Sequence, residues 1–283
     1  MILNIYTRFE MSLIINADDL GYSEHRDNGI FDCFQNGSIS AASLIVKGPT
    51  SKSAAEKAKS LGLYIGLHLN LTEGLALTGV SSITNEQGQM YYKQNFMRLI
   101  NSGVEPFQTA IIEETRAQFE KFKELSGEYP KHVDGHQHVH IFLGMPDILA
   151  PLFKEYGVLS TRIPDEDISA CDWLSPEVKL RYQQRFIACI RARLVYKIHD
   201  IKAPECFVGL TLCGTNLTSE RYLKSIENVF GIVEYMVHPG FIGTPKGLFS
   251  DTFDSDKGRL NELNCLRKIK KVLPLVDWSV YSK

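Results

Sequence analysis

Four of the chain's eight histidines fall between His132 and His140, where the sequence reads His-Val-Asp-Gly-His-Gln-His-Val-His. If that segment runs extended, His132, Asp134, His136, His138 and His140 share one face, because strand side chains alternate with a period of two. A face of imidazoles and a carboxylate cannot pack as dry core, since every buried polar group needs a partner. Metal binding or a polar catalytic pocket is the chemistry that suits such a face. Same-face neighbours on a strand sit roughly 6.6 Å apart, too far for three of them to reach one ion at about 2.1 Å unless the chain bends. Gly135 permits such a bend and favours His136, with His138 after it.

Further candidates stand at the ends of apolar runs. Asp18 and Asp19 close Leu13 to Ala17, His68 lies within Ile65 to Leu71, and His238 follows Val233 to Val237 and precedes Pro239-Gly240. One carboxylate and two imidazoles from separate strands leave a divalent ion open positions for water and substrate, so Asp19, His68 and His136 are the expected ligands. Asp18 is the candidate base toward attacking water, and His238 the candidate proton donor to a departing amine or alcohol. Adjacent strand residues point to opposite faces, so both aspartates serve one site only if the chain turns, and Leu20-Gly21 is the expected turn. Asp134 is the candidate to hold a histidine ring in its metal-binding tautomer, with His138 in a similar supporting role. Taken singly, an Asp pair is ordinary turn chemistry and a lone histidine is ordinary core; the coincidence of position carries the reading.

The elements that must position these groups alternate. Strands are expected at Leu13 to Ala17, Ser40 to Val46, Tyr64 to Leu71, through the histidine segment, and at Leu159 to Ile163, Cys206 to Leu210, Ile232 to Val237 and Val276 to Val280. Helices are expected at Ser23 to Asn36, Ser51 to Ser60, Glu105 to Leu125, Pro146 to Tyr156, Pro176 to Tyr196, Ser219 to Asn228 and Arg259 to Val272. Strands alternating with helices predict a parallel sheet, whose catalytic groups gather at the carboxyl ends of the strands. Residues 72 to 92 form a long irregular stretch of the kind that carries function, and 164 to 174 a second. Tyr91, Tyr92 and Trp173 in these stretches are candidates to stack on a sugar ring, and Arg162 to bond its hydroxyls or an acidic group. No linker or repeat divides the chain, which favours a single barrel-like domain.

Composition narrows the function. The 31 basic and 33 acidic residues give a formal charge of −2. That balance offers nucleic acid or an anionic membrane no electrostatic hold, while a neutral substrate suits it. The six cysteines lack zinc-ribbon or disulfide-framework spacing, as expected of thiols in a reducing compartment. The N-terminal residues lack the apolar core of a signal peptide, and no stretch has the length and apolarity of a membrane span, so cytoplasmic residence is the expectation.

Ile14-Ile15-Asn16-Ala17-Asp18-Asp19-Leu20-Gly21, Ile65-Gly66-Leu67-His68-Leu69-Asn70-Leu71, His132 through His140 and His238-Pro239-Gly240 together resemble the YdjC-like carbohydrate deacetylase family, which includes the chitooligosaccharide deacetylases. The resemblance implies an α/β fold: a single (β/α) barrel-like domain of distorted TIM type, related to polysaccharide deacetylases, over residues 12–283, with 1–11 as an N-terminal extension. It also implies a divalent metal on Asp19, His68 and His136, with Asp18 as base and His238 near the leaving group. Leu20, where Phe is common, and Gln137, where His is common, depart from the family pattern.

The expected activity is metal-dependent hydrolysis of an N-acetyl group on an amino sugar, in an oligosaccharide or a glycoconjugate, releasing acetate. The rivals are a sugar- or metal-binding protein without catalysis and a metal-dependent phosphoesterase, the latter disfavoured by the absence of a basic phosphate clamp. Mg or Zn is the expected ion, with Fe, Co, Ni or Mn also compatible with this donor set. A homodimer is compatible with the chain, two-fold assemblies being the commonest.

Overall fold

The computed structural model describes residues 11–101, 105–169, 171–243, 247–249, 256–269 and 273–282. The extension expected over residues 1–11 lies outside the described residues but for Met11. The strands are β1 (Ser12–Leu20), β2 (Ala41–Leu44), β3 (Tyr64–Leu69), β4 (His132–Gly135), β5 (Ser160–Thr161), β6 (Cys206–Val208) and β7 (Ile232–Val237). The helices are α1 (Glu24–Gln35), α2 (Ser51–Leu61), α3 (Lys93–Asn101), α4 (Glu105–Ser126), α5 (Met145–Glu155), α6 (Pro176–Ile198), α7 (Ser219–Ser225) and α8 (Asp256–Leu266).

All pairings in the seven-stranded sheet are parallel, in the order β5-β4-β3-β2-β1-β7-β6. Neighbours in the sheet are thus neighbours in the chain, β7 returns to β1, and the ring is interrupted only between β5 and β6. An isolated bridge from Ser160 to Lys202 spans part of that gap. The result is a curled (β/α) barrel-like sheet wrapped by helices, with connections that put every strand's carboxyl end on one rim.

Local chemistry accounts for the elements. β1 is buried on both faces from Leu13 onward, as a strand covered by helices outside and barrel contents inside must be. Leu13, Ile15 and Ala17 join the core shared with Ile30, Phe31, Ala54 and Ala58 of the surrounding helices, whereas Ile14 packs with Trp278. Ser23 caps α1, its side chain accepting from the Arg26 N–H, and Ser175 caps α6 ahead of Pro176, both ordinary N-terminal signals. Gly66 admits the His132 ring: a Cβ there would lie 2.7 Å from His132 Cδ2.

Three expectations change. The histidine segment is a strand only over His132–Gly135; beyond it the chain forms a 3-10 turn over His136–Ile141 in which Gln137 and His138 are left-handed, at φ 54° and 61°. The five polar side chains therefore do not share one face. The strand expected at Val276 to Val280 is instead a 3-10 turn over Trp278–Ser282, with a single bridge from Leu13 to Leu275; Trp278 packs into the barrel rather than extending the sheet. The helix expected at Arg259 to Val272 ends at Leu266, and residues 270–272 lie outside the described residues. α3 was not anticipated, because it follows directly on a polar, aperiodic loop.

Candidate metal centre and active-site cleft

At the carboxyl rim, Asp18, Asp19, His68, His136, His138, His238 and Tyr92 line one cleft of about 530 Å³, a size suited to a small-molecule ligand. The two aspartates enter it together because Asp19 is left-handed, at φ 69°. The β1–β2 register shifts between Ala17 and Leu20. The bend expected at Leu20-Gly21 thus begins at Asp19 itself, a conformation that aspartate tolerates better than most residues.

Donor atoms of Asp19, His68 and His136 lie within 4.8 Å of one another, and all three residues are buried. Asp19 Oδ1 is 3.4 Å from His68 Nε2 and 3.1 Å from His136 Nδ1. Every one of these groups is held from behind. Arg26 and Arg259 donate to Asp19 Oδ2 at 3.1 and 2.7 Å, which leaves Oδ1 facing the imidazoles. His68 Nδ1 is 2.7 Å from Asp134 Oδ1, its register neighbour on β4. His136 Nε2 is 3.0 Å from Glu73 Oε2, and the Tyr22 hydroxyl donates to Glu73 Oε1 at 2.8 Å. Carboxylate-backed imidazoles present one fixed nitrogen apiece, the arrangement that suits metal ligands. A carboxylate oxygen and two such nitrogens fit one divalent ion with open positions.

Charge reinforces the cluster. Burial opposes ionisation of Asp19, but the Arg259 charge and hydrogen bonds from His136 and His68 hold it well below the usual carboxylate range. Burial would likewise lower His68, yet the charges of Asp134 and Asp18 and the bonds to Asp134 and Asp19 raise it to about 10. His136 is raised against its burial by Asp19 and Glu73.

Asp18, His68 and Asp134 make a second trio of converging donors, but a guanidinium already fills that role. Arg162 donates through Nη1 and Nη2 to Asp18 at 2.5 and 2.6 Å, lies 3.0 Å from Asp134 Oδ2 and donates through Nε to Glu234 Oε1 at 2.6 Å. A bidentate pair fixes position as well as charge. Asp18 is also held by the Asn16 amide at 3.0 Å. Its Oδ2 lies 3.9 Å from the Nε2 atoms of both His68 and His238. Glu262 accepts from the His238 backbone N–H at 2.6 Å and lies 3.9 Å from Nδ1.

Of the residues expected to touch substrate, Tyr91, Arg162 and Trp173 do not line the cleft. Arg162 is fully buried beneath the aspartates, because the end of the short β5 aims it into the barrel. Trp173 lines a different cavity and donates to the Thr211 carbonyl at 3.1 Å, bracing the Leu210 segment from behind. Tyr92 stands at the cleft rim, 61 % exposed. His138 lines the cleft and is held neutral by burial and by the charges of Arg185, Arg162 and Lys93. Asp134 backs His68, while His132 stacks on Trp278 at 3.4 Å and His140 bonds the Arg162 carbonyl at 2.9 Å.

Sequence reasoning missed Glu73, Tyr22, Arg26, Arg259, Glu234 and Glu262. Glu73 alone had a local signal: Asn70 Oδ1 accepts from the Thr72 and Glu73 N–H groups at 3.1 and 3.0 Å, the turn chemistry of an Asn opening a loop.

Fold and site together define a (β/α) barrel-like protein with a candidate metal centre at its carboxyl rim. The chain belongs to the YdjC-like protein family, whose model matches residues 12–270. It is 34 % identical over 277 residues to the carbohydrate deacetylase of Mus musculus, covering 90 % of this chain and 87 % of that one. It is 37 % identical over 161 residues to the chitooligosaccharide deacetylase of Serratia marcescens, covering 56 % of this chain and 61 % of that one. A crystal structure from Enterococcus faecalis V583, of a protein assigned provisionally to cellobiose-phosphate cleavage, shares the fold with a TM-score of 0.71 at 22 % identity, covering 96 % of this chain and 98 % of that one.

Proposed function

We propose that the protein is a divalent-metal-dependent carbohydrate deacetylase, hydrolysing the acetamide of an N-acetylated amino sugar in an oligosaccharide or glycoconjugate. The observation that carries the reading is the convergence of Asp19, His68 and His136 within 4.8 Å, in a cleft that Asp18 and His238 also line. The names borne by its relatives support the substrate class. Asp19, His68 and His136 hold the ion, with Mg or Zn first among the candidates. When bound, the ion supplies Lewis-acid polarisation of the acetamide carbonyl and lowers the pKa of water.

The chain's own residues do the rest. Asp18, held by Arg162, accepts the proton of the attacking water. His238 delivers a proton to the departing amine nitrogen as the C–N bond breaks, so that acetate and a free amino sugar leave. Tyr92 offers an apolar ring face to the sugar at the rim. A binding protein without catalysis has no use for a carboxylate held beside the ion, and this separates the two readings. Metal-loaded protein is incubated with a panel of N-acetylated sugars and glycolipids and the released acetate assayed. Asp18→Asn is expected to lose turnover by about 100-fold or more while retaining its metal; acetate release no greater than that of His68→Ala refutes the proposal.

A further inference from the structure

A second concavity, of about 350 Å³, adjoins the cleft between α3, the turn that follows His136 and α6, and shares Lys93 and Arg185 with it. Beyond those two residues its wall is mainly apolar: Met97, Ile100, Ile141, Phe142, Leu143 and Ala188. No acidic residue lines it. Leu143 is 60 % exposed and Met97 38 %. Apolar side chains gathered in a hollow, rather than scattered singly, mark a place where an apolar group is received.

The two shared residues are both cations, and neither has a carboxylate partner among the described residues. Lys93 Nζ gives one of its three protons to the Gln137 carbonyl at 3.1 Å and lies 5.3 Å from the centre of the Phe142 ring. Arg185 lies 5.3 Å from the Tyr182 ring centre and donates to no described residue. The acids of the cleft, Asp18 and Asp19, are already held by Arg162, Arg26 and Arg259. Burial, and then the charge of Arg185, push Lys93 down to about 8, as befits a cation that faces another with no anion between them.

We infer that the substrate is an anionic glycolipid, an N-acetylated amino sugar joined through a phosphodiester to a hydrocarbon chain. The sugar occupies the cleft, the phosphate lies between Lys93 and Arg185, and the chain lies in the apolar groove beyond them. The inference rests on the deacetylase reading and narrows its substrate class. A soluble phosphorylated sugar uses the two cations but leaves the groove bare. A neutral glycolipid fills the groove but leaves the cations facing each other. Only a ligand with all three parts in this order matches the sequence of polar cleft, paired cations and apolar groove.

The test uses probes that carry no acetamide, so its failure is separate from a failure of the deacetylase reading, which acetate release decides. The full chain is titrated calorimetrically with inorganic phosphate, with decyl phosphate and with decyl glucoside, the last two below their micellar concentrations. Decyl phosphate is expected to bind about tenfold or more tighter than inorganic phosphate, an advantage that two buried methylenes suffice to give. It should exceed decyl glucoside by a similar factor. Arg185→Gln should weaken decyl phosphate by about tenfold or more, the loss of a charge-assisted bond. Met97→Ser with Leu143→Ser should bring decyl phosphate close to inorganic phosphate while leaving the latter unchanged; both side chains are exposed, so the fold should persist, which circular dichroism checks. The ranking of probes should be the same in metal-loaded and chelator-treated protein. Decyl phosphate binding no tighter than inorganic phosphate, decyl glucoside binding as tightly as decyl phosphate, an affinity unmoved by Arg185→Gln, or a ranking that vanishes with the metal each overturns the inference.

Discussion

Replacing Arg162 should separate the support of the site from its chemistry. Its guanidinium reaches Asp18 at 2.5 and 2.6 Å, Asp134 at 3.0 Å and Glu234 at 2.6 Å, all in the barrel interior. Removing one partner of a buried ion pair costs about 3–5 kcal/mol, because the charges left behind cannot regain water. Arg162→Met is therefore expected to lower the melting temperature by roughly 6–20 °C, at about 2–4 °C per kcal/mol for a chain approaching this size. Arg162→Lys keeps a positive charge but loses the fork that holds both oxygens of Asp18. A shift of about 1 Å in a catalytic group can cost roughly 100-fold in rate. The lysine variant should thus stay folded, retain its metal by elemental analysis, and lose about 100-fold in acetate release, mainly in kcat. Melting followed by circular dichroism, metal content and turnover are measured on the same samples. A lysine variant that turns over within threefold of wild type refutes a positioning role for Arg162, and an unchanged melting temperature for Arg162→Met refutes the electrostatic account.

Glu73→Gln loosens the hold on His136 at 3.0 Å and should weaken metal binding by about 10–100-fold; equal affinity in a competition titration with a chromophoric chelator would remove Glu73 from the site. Because His68 is raised to about 10, it carries a proton at neutral pH that an ion must displace. Metal uptake should release at least one proton, and affinity should climb about tenfold per pH unit toward that value; calorimetric heats independent of the buffer's ionisation enthalpy would contradict this. Burial pushes Glu234 up to about 8, despite Arg162, consistent with one guanidinium facing three carboxyl groups. The unfolded chain gives up this proton near the ordinary glutamate value of 4.5, and the folded one only near 8. Stability from Glu234 is therefore full below the first value and lost as pH rises through the second. Glu234→Gln should flatten that fall in denaturant titrations at several pH values, and an unchanged slope would count against it.

Much of the architecture was legible because it is locally encoded. Apolar runs and capping residues mark β1, α1, β3, β7 and α6, and the alternation of strand with helix implies parallel pairing and a shared rim. Asp19, His68, His136 and His238 stood out because each lies at or near the carboxyl end of such a strand. The histidine alternation misled beyond Gly135, since period two is only a permission to extend. The left-handed backbone of Gln137 and His138 is held by contacts made elsewhere, among them Lys93 Nζ on the Gln137 carbonyl at 3.1 Å.

Residue types and short spacings thus determine which segments form strands and which side chains can bind metal. Neither says which charges will be neighbours. Arg162 sits 144 positions from Asp18, and Arg259 sits 240 from Asp19. Their meeting depends on β5 and β1 curling toward a common axis and on α8 returning to the first strand. Burial then makes pairing obligatory, because a lone charge in that interior costs several kcal/mol, and only the curled sheet with its surrounding helices supplies the partner.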